Sequence, residues 1–137
     1  MSTIAAAVRP ILLAPVVRWL ALLALTAAYL QGGLQKAFDF AGAVAEMRHF
    51  GLEPAAPLAV ATILLELGAA GLILSGRGRW LGALALAGFT LLATLVANRF
   101  WEMAGQDRFM AANAFFEHVG LAGAFVLVAW HDLEGRR

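Results

Sequence analysis

The chain of 137 residues contains no cysteine. That absence excludes intramolecular disulfides and thiolate metal sites, and with them any four-helix membrane enzyme that works through a dithiol relay. Charge is also scarce. Ten Lys and Arg against nine Asp and Glu leave a net charge of +1, which gives nucleic acid no basic surface to bind. Histidine occurs only at His49, His118 and His131. The topology derived below puts His131 at the opposite end of the bundle from the other two, which disfavours a haem held by a pair of histidines. Glu66, Glu117 and His118 could in principle ligate a metal, but they lack the spacing of a metal motif, so no metal is expected.

The chain is rich in apolar residues, at 62%, with a mean hydropathy of +0.79. Soluble domains hold about 45–50% apolar residues, and so small a soluble core could not bury the excess. The apolar residues form four runs, Pro15–Leu34, Pro57–Ser75, Trp80–Asn98 and Ala112–Trp130. Each is close to the ~20 residues that cross a hydrocarbon core ~30 Å thick. Little chain remains outside them. The expectation is an all-α, integral membrane four-helix bundle running up-down-up-down, with residues 1–137 forming a single four-span membrane domain. Arg9, Arg18 and the apolar Trp19–Leu25 before Thr26-Ala27-Ala28 have the outline of a cleavable leader. The run continues through Tyr29–Leu34, which favours a retained span.

Local signals place the boundaries. Pro15 suits a first helical turn, and the first span is expected to end in Gln31-Gly32-Gly33-Leu34-Gln35-Lys36. The following loop, Ala37–Ala56, carries Val44, Met47 and Phe50 at helical spacing, which predicts a short interfacial helix. Gly51 ends it, and Pro54 and Pro57 lead into the second span. Ser75-Gly76-Arg77-Gly78-Arg79 is short enough to force an antiparallel hairpin. Trp19, Trp80, Trp101 and Trp130 fall near span ends, where an aromatic belt lies.

Basic residues give an orientation. Arg9, Arg18, Arg77, Arg79, Arg136 and Arg137 share one side, and Lys36, Arg48, Arg99 and Arg108 the other. The bias places both termini in the cytoplasm of a bacterial-type inner (plasma) membrane. Arg77 and Arg79 suit anionic head groups there, although topology control is the simpler reading. The pairs Gly68–Gly71 and Gly120–Gly123 allow close helix approach within the bundle or between protomers, and so offer a route to a homo-oligomer. Glu66-Leu67-Gly68-Ala69-Ala70-Gly71 faintly echoes Glu117–Gly123, but recurrent small residues of packed membrane helices account for that.

The polar residues that remain gather in the outer half. Glu66 lies nine residues from the external end of its span, ~13 Å deep, and His118 six residues from its own, ~9 Å deep. Glu117 and Asn113 share a stripe one turn apart. Asn98 ends span three, while Gln31, Gln35 and Lys36 end span one. The expectation is a one-sided polar cavity, open outward and floored by an apolar cytoplasmic half. Glu66 is the candidate catalytic residue. Gln31, Lys36, Asn98, Trp101, Glu117 and His118 join it as candidate ligand contacts. A carboxylate at such depth needs a buried partner or a function. A quinone head group beside an apolar slot would supply the function, and an ion pair that merely pins the helices is the plain alternative.

Four stretches, in order, resemble the DoxX family of small four-span membrane proteins. Gly33 and Lys36 fit its glycine-to-lysine element. Leu64-Leu65-Glu66-Leu67-Gly68 fits its glutamate-glycine element, and Asn98-Arg99-Phe100-Trp101 its Phe-Trp element. Phe115-Phe116-Glu117-His118-Val119-Gly120 fits the start of its span four. The resemblance covers about Arg18 to Trp130. Many family members carry histidine where Asn98 stands and Lys-Asn where Glu117-His118 stand, so Lys36 and Glu66 carry over best. The resemblance implies the fold, a membrane location and a part in membrane redox or stress-response assemblies alongside membrane or peripheral partner proteins. The rivals are a non-catalytic scaffold and a small transporter. The transporter is disfavoured because no polar path and no broken midplane helix are evident.

Overall fold

Proline, glycine and aspartate punctuate the described residues into six α-helices. The computed structural model describes residues 2–136. Helix α1 covers Thr3–Leu12, α2 Pro15–Phe38, α3 Phe40–His49, α4 Ala55–Ser75, α5 Arg79–Ala97 and α6 Gly105–Glu134, with a 3-10 turn at Phe100–Glu102 between the last two. Helices α2, α4, α5 and α6 are long and apolar enough to cross a membrane, spanning ~28 to 45 Å at 1.5 Å per residue. The molecule is a multi-pass membrane protein built as an all-α helical bundle.

Two boundaries differ from the sequence expectation. Helix α2 does not end at Leu34 but runs to Phe38, through Gly32 and Gly33. Two interior glycines would each cost a free helix about 1 kcal/mol. Here they bring α2 onto α4, because a Cβ on Gly33 would lie only 2.7 Å from Leu67 Cδ2, and the packing offsets the propensity. Helix α6 begins at Gly105 and not near Ala112, so most of the expected loop is its exposed first turns. Helix α1, which the sequence did not announce, buries none of its residues and leaves Ile4, Val8, Ile11 and Leu12 exposed.

The expected interfacial helix is present as α3. Asp39 closes α2 and opens α3, its carboxylate accepting from the Gly42 amide at 3.0 Å, an N-cap. Gly51 ends α3 at φ 71°. Its amide donates to the Arg48 carbonyl, and the Leu52 amide donates to the Met47 carbonyl at 2.8 Å. This paired arrangement satisfies the last carbonyls of a helix. Ala43 and Met47 then pack on Ala55 and Ala59, which fixes α3 over the end of α4.

The bundle core is small-residue packing around three large side chains. Ile73, Leu86 and Phe125 are fully buried among Ala69, Ala83, Ala87, Ala122 and Ala129. Alanine and glycine let backbones approach where lipid supplies no hydrophobic drive between helices. At Gly82 a Cβ would sit 2.5 Å from the Ala69 carbonyl oxygen, so α5 presses directly on α4. Leu64, Leu84, Leu92, Phe116 and Leu127 are exposed, as lipid-facing side chains must be. Packing is closest between α5 and α6, between α2 and α4, and between α4 and α5. Between α2 and α6, the ring of Tyr29 meets that of Phe125 edge-on, with centroids 5.4 Å apart. The seam between them is open on both sides of that contact.

Candidate functional site

Helical periodicity places Gly32, Gly33 and Lys36 on one face of α2, and the two glycines bring that face against α4. Lys36 Nζ donates to Glu66 Oε1 at 3.1 Å, with the two side chains 18% and 5% exposed. Two charges removed from water hold together because each neutralises the other and a hydrogen bond joins them. Gly32 makes room for the pair. A Cβ there would lie 3.1 Å from Glu66 Oε2 and 3.5 Å from Lys36 Nζ. Oε2 accepts no hydrogen bond from any described residue and is the free end of the carboxylate. The remaining ion pairs at this end, Arg48–Glu53 and Arg99–Glu102, are solvent-exposed and add little.

The pair forms a partition between two cavities. The larger, about 360 Å³, lies beneath α3 and between α4 and α5, walled by Met47, Phe50, Leu58, Leu92 and Val96 and touched by Thr62 and Glu46. The smaller, about 160 Å³, lies in the seam between α2 and α6, bounded by Tyr29, Gly32, Thr90, His118 and Leu121. Lys36, Glu66, Phe89 and Ala93 line both. A hydrogen-bonding ion pair thus faces a largely apolar cavity on one side and, on the other, a smaller chamber that also holds Tyr29, Thr90 and His118. This arrangement can grip a polar head group while a tail lies along leucine and valine.

A polar stripe along α5 and its C-cap Asn98 stands behind the chamber, with Thr90 lining it. Thr90, Thr94 and Asn98 recur at every fourth residue, so they share one helical stripe. Thr90 is hydrogen-bonded to the Tyr29 hydroxyl. Thr94 lies 3.2 Å from His118 Nδ1, and Asn98 Nδ2 lies 3.3 Å from the same atom and 3.1 Å from Thr94 Oγ1. With Asn98 donating, Nδ1 is an acceptor, and a neutral ring carries its proton on Nε2.

The structure sorts the sequence candidates. It brings Lys36, Glu66 and His118 to one chamber, although His118 makes no hydrogen bond to Glu66. Asn98 supports His118 and lines neither cavity. Gln31 is exposed and bonded to Gln35 at 3.1 Å. Glu117 and Asn113 are exposed, and Glu117 shares neither cavity with Glu66. Trp101, half exposed, stacks edge-on against Phe100 and Phe115 outside both cavities. Tyr29, Thr90, Thr94 and Phe89 were missed. The fourfold threonine spacing in an otherwise apolar span, and the single tyrosine of the chain, were the legible signals.

The expected apolar floor holds only at mid-bundle, around Ile73, Leu86 and Phe125. The α1 end of the molecule has cavities of its own, lined in part by Arg18, Arg79 and His131. The two glycine pairs of α4 and α6 do not draw helices together inside the bundle. A Cβ at Gly68, Gly71, Gly120 or Gly123 would meet nothing within 4 Å.

Neither a curated protein nor a solved structure is significantly similar to the chain. The family model described as DoxX matches residues 11–99. The match takes in Lys36, Glu66 and Asn98 and stops before Trp101, Glu117 and His118, short of the resemblance read to Trp130. It nevertheless covers well over half of the chain, from the end of α1 through α5, and the chain belongs to the DoxX family.

Proposed function

We propose that this protein is a membrane subunit of a redox or stress-response system and that its α3–α4–α5 cavity takes a quinone or a similar lipid by its polar head. One observation carries the reading. A part-buried, hydrogen-bonded Lys–Glu pair lines an otherwise largely apolar cavity of about 360 Å³, which is in the size range of small-ligand sites. Lys36 can donate to a quinone carbonyl oxygen. Glu66 Oε2, free of other donors, can accept from a hydroquinone hydroxyl. The apolar wall of Leu58, Leu92 and Val96 suits the tail. Reduction of a quinone consumes two electrons and two protons. The pair is placed to exchange protons, and the electrons would come from a membrane or peripheral partner protein. In this reading the site lies toward the outer face of a bacterial-type plasma membrane, with both termini cytoplasmic, as the arginine bias suggests.

A second reading is a non-catalytic membrane scaffold or a homo-oligomer. It is favoured by the open glycine faces of α4 and α6, which lack any neighbour within the protomer. The deciding experiment is extraction with native lipids, followed by mass spectrometry of the small molecules that co-purify with wild type and Glu66→Gln. A quinone held by wild type and lost from the variant supports the redox reading. If neither holds a quinone and both retain a protein partner, the scaffold reading replaces it.

A further inference from the structure

We propose that the cavity beside Arg18 and Arg79, at the end of the bundle away from Lys36 and Glu66, is a specific site for an anionic phospholipid. Its phosphate would sit between the two guanidiniums and its acyl chain would lie in the α2–α6 seam. Arg18 stands one turn into α2, and Arg79 is the first residue of α5. The two line both cavities at this end, one of about 510 Å³ against α6 and one of about 290 Å³ at the corner between α1 and α2.

Neither charge has a direct ion-pair partner among the described residues: no carboxylate lies within 4 Å of either guanidinium. Asp132, the acid on the adjoining part of α6, attracts Arg79 only from beyond that distance, and its Oδ2 is bonded to other groups. It accepts from the Trp80 amide at 3.0 Å and faces Arg136 Nε at 3.4 Å. Arg79 is also held in place, its Nε donating to the Ile73 carbonyl at 2.8 Å. That bond anchors the guanidinium and leaves its terminal nitrogens available for a phosphate. His131 adds a third polar group to the same cavity.

The rest of the larger cavity is apolar, with Leu22, Leu25, Leu127 and Val128 along the seam that Tyr29 and Phe125 close at mid-bundle. Free phosphate or a soluble phosphoester would use the arginines and leave this groove empty. A zwitterionic lipid would fill the groove but bring its own cation to the arginines. A phospholipid of net negative charge satisfies both parts. Arg77 was the sequence's other candidate for such a head group. It is exposed and lines neither cavity, so the structure selects Arg18 in its place.

The test uses the full chain, delipidated in detergent, with phosphatidylglycerol, phosphatidylcholine or inorganic phosphate added. Bound lipid is counted by native mass spectrometry and melting temperature is followed in parallel. The expected result is retention of phosphatidylglycerol and a raised melting temperature with that lipid alone. Arg18→Gln, which removes no hydrogen bond to a described residue, should weaken its binding about tenfold, as loss of one charge-assisted contact does. Arg77→Gln should leave it unchanged. Equal retention of phosphatidylglycerol and phosphatidylcholine would overturn the proposal. So would equal weakening by Arg77→Gln, or full replacement of the lipid effect by inorganic phosphate. Arg79→Gln also loses the Ile73 contact, so Arg18→Gln is the deciding variant.

Discussion

Gly33 of α2 backs directly onto Leu67 of α4, so closely that a Cβ at position 33 would fall 2.7 Å from the leucine Cδ2. This contact sets the spacing at which Lys36, one turn further on, meets Glu66. Gly33→Val should therefore force α2 and α4 apart and lower stability by about 1–3 kcal/mol, the usual cost of overpacking. Gly68→Ala, where nothing lies within 4 Å, should be neutral or stabilise by up to ~1 kcal/mol through helix propensity. Melting curves of the two variants in the same detergent separate these outcomes. Equal effects would mean that Gly33 does not set the helix spacing.

Lys36 and Glu66 should behave as a coupled pair. Breaking a fully buried pair costs ~3–5 kcal/mol, but Lys36 keeps 18% of its side chain exposed, so Lys36→Met or Glu66→Leu alone should cost less, about 1–3 kcal/mol on that scale. The double variant Lys36→Met with Glu66→Leu should recover most of the loss, because no buried charge is left alone. A double-mutant cycle in detergent should give a coupling of at least ~0.5 kcal/mol. Strictly additive single effects would show that the charges do not interact in the folded protein.

Tyr29 should matter through its hydroxyl as well as its ring. Tyr29→Phe keeps the edge contact with Phe125 but strands the buried Thr90, 2% exposed. The expected loss is ~0.5–1.5 kcal/mol, the net worth of a hydrogen bond. Tyr29→Ala should cost ~3–5 kcal/mol, on the scale of aromatic truncation in a core, and should merge the two cavities of the α2–α6 seam. If the phenylalanine and alanine variants melt together, the ring does not hold the seam.

The orientation can be read directly, because a chain without cysteine accepts single reporter thiols. Arg77→Cys between α4 and α5 and Glu53→Cys before α4 lie at opposite ends of one span. In intact cells a membrane-impermeant thiol reagent should label position 53 and spare position 77, as the arginine bias predicts. The reverse pattern would invert the proposed topology and place the Lys36–Glu66 cavity toward the cytoplasm.

The four spans, the α3 cap at Gly51 and the tight turn at Gly76–Arg79 were legible in the sequence, because span length, turn chemistry and helix capping are local properties. The same locality misled it at Gly32 and Gly33. Their propensity argues for a helix end, and the packing of α2 against Glu66 and Leu67 of α4 offsets it. Glu66 stood out as a charge in an apolar run, and the basic side of the bundle followed from a count of arginines.

The partners belong to the tertiary structure. Lys36 meets Glu66 across 30 positions of sequence, and Tyr29 meets Thr90 across 61. Which faces of two helices meet depends on side-chain packing summed over the whole bundle, and no periodicity within one helix encodes it. The same physics turned Glu117, Gln31 and Trp101 away from the cavity. It also left Arg18 and Arg79, 61 positions apart in the sequence, lining one opening with no described carboxylate within 4 Å of either.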